Sequence, residues 1–576
     1  MYKSKFNPSP NSIDLLTRGN IIGEDETAPE MIERVVYTLS QEESNHLNSQ
    51  DLKQFEENLG QRMDDGRIIM STPIMTNAGR YPDRPLSACT MPTADLLDYN
   101  IDFLKFEINK LHEQGMGTGF NLNPVDDPVK ILKMLNQIAL EGSRRDQENR
   151  PVGNMAILDV YHPKILEFIN CKNSTDNNSE EWKFNISVNL DDDFFKILYS
   201  SGKIKLLDGR TISAEEIFSA IVDSTMKCAD PGLIFLDRLN YRNPIPGLGK
   251  YKTIAPCAEV GLLEGESCQF GNINIAKFIS LKGDDYSLNY SDLAESVKVL
   301  TRALDSALSI SIKNYATVQS SEIMKQKRKI GIGISGVADA ISIAGLIYNS
   351  DKARVLLAES LSFINYISKL ESHEIAKTKG SALSMYNQNG NRYFDEENYI
   401  AKMYGMLEDT ESISNSEWIS LGNKIKNTGL LRNTTTVALP PTGRSALIYD
   451  SSTGVEPHFS IDRISESVKI KMAEYMGRLI NDFIDKDKIT DYIDSDNFKE
   501  YLSCALDISP LGHIAMVSTL QKYTDESISK TINLKANSTT SEIEHIYIKG
   551  YEAGLSGITI YVDGSRDQQP IVLKEK

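Results

Sequence analysis

Cysteine is scarce in this chain, with six among 576 residues and no two spaced as CxxC. That is too sparse for a disulfide scaffold. None of the seven histidines lies four residues from another, so the usual helical zinc spacing is missing and no metal site is expected. Positive charge is also short. The 62 Lys and Arg against 80 Asp and Glu leave a net charge of −18. Such a chain has no general attraction for nucleic acid or an anionic membrane, so an anionic ligand needs local donors. The N-terminal MYKSKFNPSPNSID has no apolar core of a signal peptide. The longest apolar stretch, residues 331–348, contains Asp339 with several Gly and Ser, and reads as a buried helix and its approach rather than a membrane span. The expected compartment is the cytoplasm.

Hydrophobic residues at 40% and charged residues at 25% describe an ordinary globular chain, long enough for a large core. Residues 1–70 read as a polar helical segment. From about residue 71, short β-rich runs alternate with amphipathic helices, the pattern of an α/β fold with parallel pairing. The β-branched runs fall at residues 232–236, 434–439 and 557–561. Ser213-Ala-Glu-Glu216 and Ser541-Glu-Ile-Glu544 fit the capping box, and His162-Pro163 puts proline in a first helical turn. Residues 352–379 read as one long helix stopped by Gly380. Residues 142–149 and 173–181 are polar loops without an apolar anchor. Gly331-Ile-Gly-Ile-Ser-Gly336 matches G-x-G-x-x-G. The basic run Lys325-Gln-Lys-Arg-Lys329 before it is no buried strand, so the glycines are assigned to close helix packing instead of a dinucleotide site.

Three cysteines have unusual surroundings: Cys257 in Ala255-Pro-Cys-Ala-Glu259, Cys268 in Ser267-Cys-Gln-Phe-Gly-Asn-Ile-Asn274, and Cys89 in Leu86-Ser-Ala-Cys89. A thiol two residues before a carboxylate, in an extended β-loop, puts a hydrogen-atom donor beside a base. Two further thiols supply two electrons by closing a disulfide. The alternative for each cysteine is a small buried packing residue, and for Glu259 a surface carboxylate. Cys171, Cys228 and Cys504 are read as packing residues. In Pro440-Pro-Thr-Gly-Arg-Ser445, small residues before a helix start expose backbone N–H groups to an anion, and Arg444 adds a bidentate donor. The alternative there is a plain Pro-Gly turn.

At these residues the chain resembles the ribonucleotide reductase family, over nearly everything from residue 71 to 566. Ser71-Thr-Pro-Ile-Met-Thr-Asn-Ala-Gly79, Phe184-Asn-Ile-Ser-Val188, Ser452-Thr-Gly-Val-Glu-Pro457 and Ser529-Lys-Thr-Ile-Asn533 follow in the family's order. The ending Gly557-Ile-Thr-Ile-Tyr-Val-Asp-Gly-Ser-Arg566 is similar to that of the class II, adenosylcobalamin-dependent type. Only about 70 residues precede the barrel, so the family's ATP cone is not expected.

The resemblance implies a ten-stranded α/β barrel of two antiparallel halves over residues 71–566, around a central loop carrying Cys257. A helical segment, 1–70, precedes it and a tail without cysteine, 567–576, follows. The implied activity is reduction of ribonucleotides to 2′-deoxyribonucleotides with adenosylcobalamin. Cys257 would be the thiyl radical, losing its hydrogen to the 5′-deoxyadenosyl radical. Glu259 would be the base for the 3′-hydroxyl, and Cys89 with Cys268 the redox pair, their Cα atoms within about 7 Å. Thr72, Ser87, Ala88, Ala255, Thr442, Gly443, Arg444 and Ser445 would line the substrate pocket. Residues 173–183 would form the loop through which an effector deoxynucleotide acts. Further implied partners are an external dithiol or a partner chain as reductant, and a second copy in a homodimer.

Three departures matter. Ala255 stands where the family has Asn, and losing one such hydrogen bond costs about 1–3 kcal/mol. Ala258 replaces Gly, so its φ is negative or the backbone is strained. The tail lacks the cysteine pair that re-reduces the active-site disulfide in many class II enzymes. Arg444 and Val562 are smaller changes, at positions where the family usually has Thr and Arg. These departures keep two rivals open: non-reductive radical modification of a nucleotide, and a nucleotide-binding homologue with impaired catalysis.

Overall fold

The structure, a computed structural model, describes residues 2–97, 100–144, 152–173, 181–282, 285–382, 390–460, 464, 468–471 and 504–565. The tail 567–576 and most of both polar loops lie outside them. Ten strands form one sheet. In chain order they are β1 (Ile68–Met70), β2 (Cys89–Thr90), β3 (Gly117–Asn121), β4 (Asn154–Asp159), β5 (Phe184–Asn189), β6 (Gly232–Ile234), β7 (Ser267–Asn274), β8 (Ile330–Ser335), β9 (Thr531–Leu534) and β10 (Gly557–Val562). Strands β2, β3, β4, β5 and β6 run parallel in that order. β10 joins β6 antiparallel and carries β9 parallel to itself. On the other side β7 joins β2 antiparallel and carries β8 parallel. β1 lies antiparallel on β7. Between β8 and β9 the run 434–439 makes single parallel bridges, Ile332 to Val437 and Leu439 to Ile528.

Apolar periodicity explains why these segments pair and where they face. Ile330, Ile332 and Ile334 of β8 enter the main apolar core with the helices, while Cys89, Cys268 and Phe270 form a second cluster on the opposite face with Ala255 and Ala438. Alternation along each strand sends one row to the helices and the other to the opposite face of the sheet. The helix Tyr290–Ile312 packs against Asp351–Lys379, which ends at Gly380 with φ +83° as its sequence predicts. Three helices, Pro10–Arg18, Ala28–Glu43 and Ser49–Asp64, occupy the N-terminal segment, and their apolar faces join the main core. No helix among the described residues is long and apolar enough to cross a membrane.

Several local expectations need correcting. The glycine motif is itself strand β8, not a helix-packing stretch. A Cβ at Gly331 would lie 2.4 Å from the Phe270 ring, and one at Gly333 2.3 Å from Asn272 Oδ1, so the glycines admit side chains of β7. The basic run before it ends the helix Val318–Lys327, and Arg328 turns the chain with φ +46°. Ser213 sits at the N-cap of Ala214–Cys228 without bonding through its side chain. The last helix, Thr540–Glu552, is capped by Thr539, which accepts from the Glu542 amide, two residues before the expected cap. Pro163 precedes the short helix Ile165–Ile169 and is not in its first turn.

Candidate active site

A two-stranded hairpin carries Cys257. Thr253–Ile254 pairs with Gly261–Leu262, and residues 255–260 form its tip. The Ala255 N–H donates to Val260 O and the Ala258 N–H to Ala255 O, both at 2.9 Å. The hairpin lies against β3 because that strand is glycine-rich. A Cβ on Gly119 would stand 2.2 Å from Ile254 O, and one on Gly117 2.9 Å from Pro256 Cγ. On the far side the Ser527 N–H donates to Glu259 O at 2.9 Å.

The tip is a turn, not an extended segment. Ala258 has φ +65°, the strained alternative at this position. The turn separates the two groups that an extended run would put on one face: Cys257 is exposed, and Glu259 is buried. The backbone N–H groups of Glu259 and Cys257 still favour the charged form of the Glu259 carboxyl. Burial pushes this carboxyl up to about 7, with those N–H groups pulling the other way, and its Oε2 has no partner. A left-handed alanine costs roughly 1–2 kcal/mol, of which glycine's extra unfolded freedom returns part. Ala258→Gly therefore raises stability by about 0.5–1 kcal/mol, read as a higher urea midpoint at unchanged slope.

Cys89 and Cys268, 179 positions apart in sequence, are direct partners across the antiparallel pair β2–β7. Directly opposed residues in such a pair have Cα atoms about 4.5–5.5 Å apart, inside the range a disulfide spans. The Ala88 N–H donates to Cys268 O at 3.0 Å and Ser267 Oγ to Cys89 O at 2.8 Å. Both thiols are buried, and burial pushes both well up. After burial, Glu259, Cys268 and Cys257 each push the Cys89 thiol further up. Ala255 is fully buried in the same cluster.

The expected phosphate side is arranged less simply. Thr442 has φ +52° and accepts the Gly454 N–H at 2.7 Å. The Gly443 N–H is turned back to Pro441 O and the Ser445 N–H to Thr442 O, so two of the amides predicted to face an anion are engaged locally. Arg444 reaches the N-terminal segment, where a Cβ on Gly19 would lie 3.0 Å from its Nη1. Thr72 opens the helix Thr72–Asn77, beside Ser71, whose N–H bonds Phe270 O. Ser87 is fully buried, its hydroxyl 2.8 Å from Tyr315 Oη and 2.5 Å from Gln269 Nε2. Ala88 spends its N–H on Cys268 and its C=O on Gly117. The loop at 440–445 comes in at Pro440, beside Asn272, four residues along β7 from Cys268, or about 13 Å. The Oδ1 atoms of Asn272 and Asn274 are buried without partners. Sequence reasoning passed over both, although their even spacing from Cys268 marks them as sharing its face.

Of the expected effector loop, residues 174–180 lie outside the described residues. Its stem is held by Asn136, which donates to Glu181 O and accepts from the Lys183 N–H, and by Asn154, which donates to Lys183 O. Among the described residues no group of three His, Cys, Asp or Glu converges as ligands for a metal ion.

A thiol-bearing hairpin thus packs on a ten-stranded α/β sheet that also carries a cross-strand cysteine pair. The family model for the ribonucleotide reductase barrel domain matches residues 106–561, and the chain belongs to that family. Among curated relatives it is 30% identical over 541 residues to the vitamin B12-dependent ribonucleoside-diphosphate reductase of Thermoplasma acidophilum, covering 87% of this chain and 64% of that protein. It is 27% identical to the Mycobacterium tuberculosis protein of the same name, covering 87% and 71%. It is 24% identical to the vitamin B12-dependent ribonucleotide reductase of Streptomyces coelicolor, covering 95% and 64%. The chain thus spans somewhat under two thirds of the length of the first of these.

Proposed function

We propose that this chain reduces ribonucleotides to 2′-deoxyribonucleotides by thiyl-radical chemistry with adenosylcobalamin. The observation that carries the reading is the placement of four groups: an exposed thiol at a hairpin tip, a buried carboxylate two residues on, and two buried thiols opposed across a strand pair. The cofactor named for the relatives supplies a carbon-centred radical when bound, and Cys257 is the exposed thiol of the three. Having lost its hydrogen atom, Cys257 takes the 3′-hydrogen of the ribose. Glu259 accepts the 3′-hydroxyl proton, and the 2′-hydroxyl takes a proton from the Cys89–Cys268 pair and leaves as water. Cys89 and Cys268 provide two electrons and close a disulfide, and Cys257 returns its hydrogen to C3′. Thr72 and residues 440–445 hold the phosphates, and the names of two relatives, ribonucleoside-diphosphate reductases, point to diphosphates. An external dithiol or a partner chain reopens the disulfide, a deoxynucleotide effector acts through residues 173–183, and two copies form the working unit.

The finer architecture belongs to the same reading. The ten-stranded sheet closes as a barrel of two antiparallel halves, residues 71–566, with 1–70 as a helical preface. The bridges from β8 through 437–439 to Ile528 support it, since β8 pairs with β7 and Ile528 lies three residues before β9.

The test incubates the full chain with all four ribonucleotides, adenosylcobalamin and dithiothreitol, and identifies products by mass. Deoxynucleotides are expected, and a modified nucleotide of another kind overturns the reading. The rate should also depend on Glu259. Below about pH 7 its carboxyl is protonated and cannot take the 3′-hydroxyl proton, so kcat/KM rises as pH passes from 6 to 8. Glu259→Gln lowers kcat by about 100-fold or more and removes that acid limb. An acid limb that persists in the variant contradicts the assignment.

A further inference from the structure

Behind the thiol pair lies a set of charges that neither the mechanism nor the sequence motifs use. Lys327, Lys329, Glu266 and Glu526 are buried, and three of them are completely inaccessible. Glu266 Oε1 lies 2.7 Å from Lys327 Nζ and 3.0 Å from Lys329 Nζ, and Glu526 Oε1 2.9 Å from Lys329 Nζ. Tyr251 Oη donates to Glu526 Oε1 at 2.9 Å, and both ammonium groups stand 4.5 Å from its ring centre. Two positive and two negative charges balance there.

The set touches both halves of the site. Lys329 Nζ donates to Gly261 O at 2.7 Å and the Gly261 N–H donates to Glu526 Oε2 at 3.2 Å, so both backbone groups at the hairpin's return strand are clamped. Sheet register does the rest. Cys268 opposes Cys89, and Gln269 pairs in parallel with Ile330, so Lys329, one residue earlier, lies beside Cys268. It stands two residues before Gly331, whose missing Cβ would sit 3.2 Å from Cys268 Sγ, which puts it on the thiol face. Cys89, Cys268 and Lys329 thus form one row across β2, β7 and the residue that leads into β8.

We propose that Lys329 is a positioning residue for the thiol chemistry: its ammonium anchors the Cys257 hairpin at Gly261 and is the positive charge against which the Cys89–Cys268 pair ionises. This rests on the reading of those two thiols as the redox pair. The groups facing Cys89 are Glu259, Cys268, Lys329 and Cys257, and those facing Cys268 are Lys329, Glu526, Glu259 and Glu266. Burial raises both thiols, and Lys329 is the cation that opposes it in each. Burial would also strip the proton from Lys329, but Glu266 and Glu526 overrule it and hold the ammonium charged.

The test needs neither nucleotide nor corrinoid, so its outcome is separate from the product assay. Full-length Cys257→Ser protein is treated with diamide at pH 8. The two thiols lose two protons and two electrons to the azo bond, which becomes a hydrazine, and one S–S bond forms. Peptide mapping follows the Cys89–Cys268 disulfide with time. Lys329→Met leaves a net negative charge beside the pair and should slow its formation about tenfold. Lys329→Gln, which keeps an amide donor for Gly261, should slow it similarly, and is the variant to read if the methionine protein does not fold. Glu526→Gln leaves a net positive charge and should accelerate it. Mere loosening of the hairpin would accelerate all three. Neutral variants that match the parent within twofold or exceed it, or a Glu526→Gln protein that slows, would overturn the proposal.

Discussion

Replacing Cys257 with alanine should lower deoxynucleotide formation roughly a thousandfold or more, because in the proposed reaction this thiol takes the 3′-hydrogen. Stability should stay within about 0.5 kcal/mol of the parent, since the side chain is exposed at a turn and fills no cavity. The pairing of lost turnover with an unchanged melting curve separates a chemical role from a packing one. Steady-state product formation and calorimetry on the same preparation read both. Turnover that survives within tenfold would remove Cys257 from the reaction.

The second large effect is on folding. Asp305 is fully buried on the helix Tyr290–Ile312. Its carboxylate accepts from Arg328 Nη2 at 2.6 Å, Arg432 Nε at 3.2 Å, Lys379 Nζ at 3.3 Å and Asn433 Nδ2 at 3.2 Å. Lys379 and Arg302 also pair with Glu43, which ties the N-terminal segment to the same network. Asp305→Ala leaves Arg328 and Arg432 without their carboxylate in the interior and destabilises the fold by about 3–5 kcal/mol, read by urea denaturation. The pH dependence follows from the same contacts. Burial would raise this carboxyl, but Arg328, Arg432 and Lys379 hold it well below the usual carboxylate range. Its contribution is therefore complete above the unfolded value near 4 and is lost as pH falls toward the depressed folded value. The parent should lose more stability than the variant on acidification below pH 4.

What the sequence makes legible is chemistry carried by local order. Cys257, Glu259 and Cys268 sit in short motifs, and the helix stop at Gly380 and the strands at Gly232 and Gly557 follow from residue type alone. Pairing between distant segments is what residue type does not specify. Lys325-Gln-Lys-Arg-Lys329 has the composition of a solvated face, yet Lys327, Arg328 and Lys329 are buried, because their partners Glu266, Glu526 and Asp305 arrive from other elements. The G-x-G-x-x-G run misled for a related reason. Its glycines make room for Phe270 and Asn272 on the neighbouring strand, a need visible only once β7 and β8 are paired. At the tip, Ala258 permitted a negative φ or strain, and the hydrogen bonds closing the turn select strain.

The most direct measurement is a single turnover without added reductant. Reduced protein is mixed with ribonucleotide and adenosylcobalamin, quenched, and assayed for deoxynucleotide and for disulfides by peptide mapping. One deoxynucleotide per active chain together with one Cys89–Cys268 disulfide is the predicted result. Deoxynucleotide formed while both thiols remain reduced, or a disulfide joining other cysteines, would contradict the account.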